Sequence, residues 1–141
     1  RADINILEEF EDQNIKSLFH SIILHHADDV PVQLEDRFVN PVVDKGYLNV
    51  DFTKITPNER LMQVAPLAEV EHIIEACMPT KHERKILKMD DKTPCLLLTR
   101  RTWSGGHVAT YVRLKYPAER FRFGTRFSYR SRKSVHRAAF S

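Results

Sequence analysis

The stretch from Pro94 to Phe127, PCLLLTRRTWSGGHVATYVRLKYPAERFRFGTRF, limits what this chain can fold into more than any other. Two apolar, β-prone runs, Cys95 to Trp103 and His107 to Tyr116, flank Ser104-Gly105-Gly106. A tight reversal needs backbone at positive φ, which paired glycines adopt without a steric penalty. Pro117 has no N–H to give to a strand ladder and closes the second run. The pattern is that of a β-hairpin, and a hairpin this apolar has to be part of a packed sheet.

The rest of the chain supplies partners for it. Ala2 to Gln13 reads as a short helix, with Ile4, Leu7 and Phe10 at helical spacing and Asp3 placed to cap its start. Asn14 to His26 holds a β-like run, closed by an Ala27-Asp28-Asp29 turn, and Val30 to Val39 follows as a second strand. Alternation sends Val32, Leu34 and Asp36 to one side of that strand and Gln33, Glu35 and Arg37 to the other. Asn40-Pro41 breaks it, and Val42 to Asp51 reads as irregular or weakly helical. At Thr56-Pro57-Asn58-Glu59 a helix opens: Thr56 is the cap, Pro57 lies in the first turn, and Glu59 completes a capping box. It should run to about Val64. Ala68 to Cys77 suits a strand as well as a helix, and Lys81 to Leu87 is a short charged helix before an Asp90-Asp91 turn. The residues after Arg126 show no period and are expected to be disordered or ordered only by contacts. Hairpins interspersed with helices give an α+β fold, an antiparallel β-sheet with flanking helices.

With 141 residues, 42% of them hydrophobic and 29% charged, this is one globular domain of ordinary composition. The net charge of +3 conceals an asymmetry: residues 1–51 carry eleven acids and four bases, residues 100–141 one acid and eleven bases. A basic C-terminal third can touch nucleic acid, or can simply be solvated strand faces and tail. Cys77 and Cys95 show no CxxC spacing and read as reduced thiols. No apolar run approaches a membrane span, and the acidic N-terminus is unlike a signal peptide, so a cytoplasmic location is expected.

Seven histidines raise the question of a metal or a catalytic base. His25 and His26 are adjacent, which on a regular strand points them to opposite sides, and neither HExxH nor HxH occurs. Ser104-Gly105-Gly106 lacks the surroundings of a nucleophile elbow or a phosphate loop. No nucleophile stands beside a general base, so no catalytic residue, metal or cofactor is expected. Glu35 lies in a largely apolar strand. It is either a solvated outward acid, which the sequence alone favours, or an inward group holding a polar ligand. Thr110 and Tyr116 share one strand face because their separation is even.

The segments PVQLEDRFVNP, ITPNERL and PCLLLTRRTWSGGHVATYVRLKYPAERFRF resemble the effector-binding UTRA domain of GntR-type repressors. The ITPNE and LLLTRRTWSGG segments are similar to its histidine-utilisation branch, and Pro31, Glu35 and the Tyr-Pro-x-x-Arg-Phe end to the wider family. The resemblance covers about residues 15–127, and 128–141 is left as a basic tail. It implies a chorismate-lyase-like fold and a homodimer that senses a small-molecule effector, urocanate in this branch. It also implies operator DNA as a partner, bound through a winged helix-turn-helix that is absent from this chain. Carried over residue by residue, it places His25, Glu35, Thr56, Asn58, Thr110 and Tyr116 in the pocket, with Arg101 as a further candidate for an effector carboxylate. One departure is that Gln13 runs almost directly into Asn14-Ile15-Lys16, where the family has a longer stretch, so part of the pattern is either deleted or missing there. The rival readings are a lyase-like enzyme acting on a small carboxylate and a basic nucleic-acid-binding module.

Overall fold

The computed structural model describes residues 4–129 and 135–139. Among them the order is α1 (Ile4–Glu8), β1 (Phe19–Ala27), β2 (Val30–Val39), α2 (Pro57–Val64), β3 (Glu69–Cys77), α3 (Lys81–Leu87), β4 (Cys95–Ser104), β5 (His107–Pro117), β6 (Gly124–Ser128) and β7 (Val135–Ala139). A single 3-10 turn sits at Tyr47–Asn49. Strands β1 to β5 form one antiparallel sheet in the order β1-β2-β5-β4-β3. The α+β expectation holds.

Both expected hairpins are present, and their turns share one chemistry. Gly105 and Gly106 have φ of 58° and 80°, and Asp28 and Asp29 have 49° and 65°. Two consecutive residues at positive φ give a turn whose twist matches that of the flanking strands. Glycine enters that region freely, and aspartate tolerates it because its short polar side chain bonds locally. The two hairpins then join along β2 and β5, which makes both central and leaves β1 and β3 as edges.

The sheet has two different faces. On one, Phe10, just beyond α1, packs against Phe38 and Val108, while Leu87 of α3 packs against Leu34 and Cys95. On the other, Leu61 of α2 packs against Val39 and Tyr47, and Phe121 and Phe123 pack on Leu98, Val112, Leu114 and Tyr116. The capping box predicted at Thr56 and Glu59 is present in both directions, and Thr80 with Glu83 builds a second one on α3. Arg60 holds Asp44 through two hydrogen bonds of 3.0 and 2.9 Å and ties α2 to the preceding loop.

Several expectations need correction. The first helix is shorter than 2–13: it ends at Glu8, and Glu11 has left-handed backbone (φ 54°). Ala2 and Asp3 lie outside the described residues. The strand expected from Asn14 begins only at Phe19; a turn in which Ile15 N donates to Asp12 O (3.2 Å) joins the two elements directly. The ambiguous segment Ala68 to Cys77 is a strand because nine of its residues find partners along β4, a contact no local periodicity reveals. In the tail, expected to be disordered or ordered only by contacts, the second alternative applies: the backbone of Val135–Ala139 pairs antiparallel with Gly124–Ser128. Residues 130–134, 140 and 141 lie outside the described residues.

Candidate functional site

On the face carrying α2, a cavity of about 660 Å³ opens between the N-terminus of α2 and the aromatic segment that follows β5. Alternation along β2 sends Gln33, Glu35 and Arg37 to this face, and alternation along β5 sends Leu114 and Tyr116. Arg100 joins them from β4, where it pairs with Val112. Thr56 and Asn58 form the opposite rim.

Glu35 is the buried centre of a small network. Arg37 Nε donates to Glu35 Oε2 at 3.1 Å, and His25 Nε2 lies 3.1 Å from Glu35 Oε1. Burial pushes the carboxyl up, but the hydrogen bonds and positive charge of His25 and Arg37 outweigh it and leave the group below the usual carboxylate range. Glu35 is therefore an ionised acceptor, turned inward, and the outward alternative is excluded. Tyr116 receives a hydrogen bond of 2.7 Å from Gln33 Nε2 on its hydroxyl, and its ring stacks on Phe121 with centroids 4.3 Å apart. Burial raises its phenol above the ordinary value despite the Gln33 bond, so it stays protonated.

Arg100 differs from Arg37 and Arg101 in making no ion pair among the described residues. Its Nε is buried without a hydrogen-bond partner, as are those of Arg84 and Arg101. Burial, followed by the like charge of Arg37, lowers its pKa from the ordinary value. A guanidinium left in that state is destabilising unless something anionic completes it.

The expected site residues divide. His25, Glu35, Thr56, Asn58 and Tyr116 gather around the cavity. Thr110 does not line it; it is buried under α2 in a small adjoining recess, where its hydroxyl shares a hydrogen bond of 2.6 Å with Thr102. Arg101 is on the opposite face. Its NH1 donates to the Glu9 carbonyl oxygen at 3.0 Å, its NH2 lies 3.3 Å from a Glu71 carboxylate oxygen, and its guanidinium sits over the Trp103 ring at 4.7 Å.

A bulge explains why Arg100 takes the place expected for Arg101. Next to the turn, Ser104 pairs with His107 and Trp103 with Val108; then Ala109 is skipped and Thr102 pairs with Thr110. A one-residue change of register reverses which side chains share a face. Without it Arg101, not Arg100, would share the face of Thr110 and Tyr116. Asn40 stabilises the bulge: its backbone N–H donates to Ala109 O at 2.9 Å and its side chain to Val108 O at 3.0 Å. A second register shift, between His25 and His26, brings both histidines to the cavity, contrary to the expectation that they point apart. Sequence reasoning thus missed Arg100, His26, Arg120 and Phe121 as lining residues. Arg37 carried a legible signal, since it shares the alternation of Glu35. Among the described residues no three His, Cys, Asp or Glu side chains gather as a metal site, and no helix is long and apolar enough to cross a membrane.

Comparison with known proteins fits this geometry. The family model for the UTRA domain matches residues 1–122. The histidine utilization repressor of Pseudomonas aeruginosa is 50% identical over 111 residues, which cover 79% of this chain and 44% of that protein. That of Klebsiella aerogenes is 40% identical over 137 residues, covering 90% of this chain and 57% of that protein. The chain thus spans about half the length of these curated relatives. The crystal structure of the C-terminal domain of histidine utilization repressor from Pseudomonas syringae pv. tomato superposes with a TM-score of 0.81 at 46% identity, covering 86% of each chain. The effector domain of PhnF from Mycobacterium smegmatis has the same fold, with a TM-score of 0.76 at 17% identity, covering 84% of this chain and 75% of that one. On the family match and on this identity, the chain belongs to the UTRA domain family.

Proposed function

We propose that this chain is the effector-sensing domain of a GntR-type transcriptional repressor of histidine utilisation genes, and that urocanate is its effector. The observation that carries the reading is Arg100: a half-buried guanidinium that makes no ion pair among the described residues and lines a cavity that also holds an ionised acid and a stacked aromatic pair. A planar carboxylate matches the guanidinium fork with two parallel hydrogen bonds. The imidazole end of urocanate would lie by the Tyr116–Phe121 stack, with an N–H directed to Glu35 and a ring nitrogen to His25. The N-terminus of α2, where Thr56 and Asn58 line the cavity, adds a favourable field for the anion.

The relatives' printed names, all histidine utilization repressors, support regulation rather than catalysis. In this reading the domain works as a homodimer and needs no cofactor. Operator DNA would be bound by a winged helix-turn-helix belonging to the longer protein. The uncovered edge strand β3, with Ile73 and Ile74 about half exposed, is consistent with self-association.

Calorimetric titration of the chain with urocanate tests the proposal. Saturable binding of one ligand per chain is expected, and Arg100→Ala should weaken it about 10- to 100-fold. Absence of heat and of any shift in thermal midpoint at millimolar urocanate would overturn the assignment of the effector.

A further inference from the structure

Arg120 lines the cavity, but its guanidinium is turned away from the polar centre. NH1 donates to Pro31 O at 2.9 Å and to Leu87 O at 2.5 Å, and NH2 donates to Lys88 O at 2.7 Å. One side chain therefore ties three parts of the fold together: the start of β2, the last residue of α3, and the residue that caps α3 in left-handed conformation (Lys88, φ 52°). The last two carbonyls belong to a helix C-terminus, where a cation is favoured by the helix dipole and by acceptors with no partner inside the helix. The next residue, Phe121, stacks on Tyr116, and Phe123 meets the same ring edge to face at 5.1 Å. Beyond Ala118, whose N–H donates to Pro94 O at 3.0 Å, no helix or strand holds the 118–123 segment in place. It leaves β5 at Pro117 through a turn closed by Arg120 N to Pro117 O, and β6 begins only at Gly124.

We propose that Arg120 is a positioning residue of the effector cavity. By fastening the 118–123 segment to β2 and α3, it keeps the Phe121 ring flat on Tyr116 and so forms the aromatic wall that a planar ligand ring would use. This rests on the effector-cavity reading above for its ligand, but not for the clamp itself. Three neutral carbonyls at this spacing suit the forked donors of arginine; the single ammonium of lysine can reach one or two of them, and alanine none.

The test uses the full chain and two independent readouts. In the unliganded protein, hydrogen exchange of residues 118–123 should quicken at least about tenfold in Arg120→Ala and much less in Arg120→Lys. Titration with urocanate should show affinity falling about tenfold in Arg120→Ala, with most of the loss recovered in Arg120→Lys. Unchanged exchange of 118–123 in Arg120→Ala overturns the proposal, whether or not urocanate binds. If urocanate fails to bind the wild-type chain, the effector assignment falls, and the exchange result still decides the clamp. Faster exchange with unaltered urocanate affinity would also overturn it, because the wall would then not matter to the ligand.

Discussion

Arg100 and Arg101 are neighbours on one strand, and the two faces of the sheet treat them in opposite ways. On the face packed by Phe10 and α3, Arg101 is ion-paired: it bonds the Glu9 carbonyl, meets Glu71 and covers Trp103, and only its Nε lacks a partner. On the face beneath α2, Arg100 lines the cavity and, among the described residues, makes no ion pair at all. Glu35 and Arg37, one pair of residues away, satisfy each other. A fold that minimised only its own free energy would treat both faces like the first. The open guanidinium marks the second face as one completed by something else, and the cavity in front of it sets the size of that ligand at a small molecule.

The largest expected effect breaks the cavity face at its centre. Glu35→Ala leaves Arg37 buried without its acid, and unfolding in urea should show a loss of about 3–5 kcal/mol, the usual scale for splitting a buried ion pair. Because the folded Glu35 carboxyl lies below its ordinary value of 4.5, its contribution is present above that pH and lost as pH falls through the lower, folded value. Stability of the wild type should therefore drop on acidification below pH 4.5, and Glu35→Gln should flatten part of that drop.

A smaller but more telling pair concerns the two arginines. Arg100→Ala should weaken urocanate binding about 10- to 100-fold, the value of a charged hydrogen bond or two, whereas Arg101→Ala should leave it within about threefold. Equal losses in both would erase the contrast between the faces. In the absence of ligand, Arg100→Met should raise stability by roughly 1 kcal/mol, since it removes a half-buried cation that has no ion pair; a lower melting midpoint would show that Arg100 supports the fold itself. Last, Thr56→Ala removes a cap at the cavity rim and should cost about 1 kcal/mol in urea unfolding.

Much of this was readable in the chain, for local reasons. Paired glycines at Gly105-Gly106 and the Asp28-Asp29 dipeptide announce their turns because few residues enter positive φ. The Thr56-Pro57-Asn58-Glu59 box announces its helix because cap chemistry is confined to four consecutive residues. Alternation along β2 already grouped Gln33, Glu35 and Arg37, the row that lines the cavity. What failed was non-local. The nature of β3 depended on the strand it met, the ribbon of β6 and β7 on a pairing between weakly patterned segments, and the choice between Arg100 and Arg101 on one skipped residue.

The sequence by itself determined where the chain turns, which stretches extend and which side of β2 is polar, since these follow from steric limits and hydrogen-bond chemistry acting within a few residues. Only the tertiary structure decided that Glu35 faces inward, that Arg100 rather than Arg101 stands beside it, and that Arg120 fastens the aromatic wall. Each of those depends on register and on carbonyls supplied from distant segments, such as Ala109 and Val108 to Asn40, or Pro31, Leu87 and Lys88 to Arg120. Side-chain facing in a sheet reverses with a shift of one residue, and no short window of sequence encodes that shift.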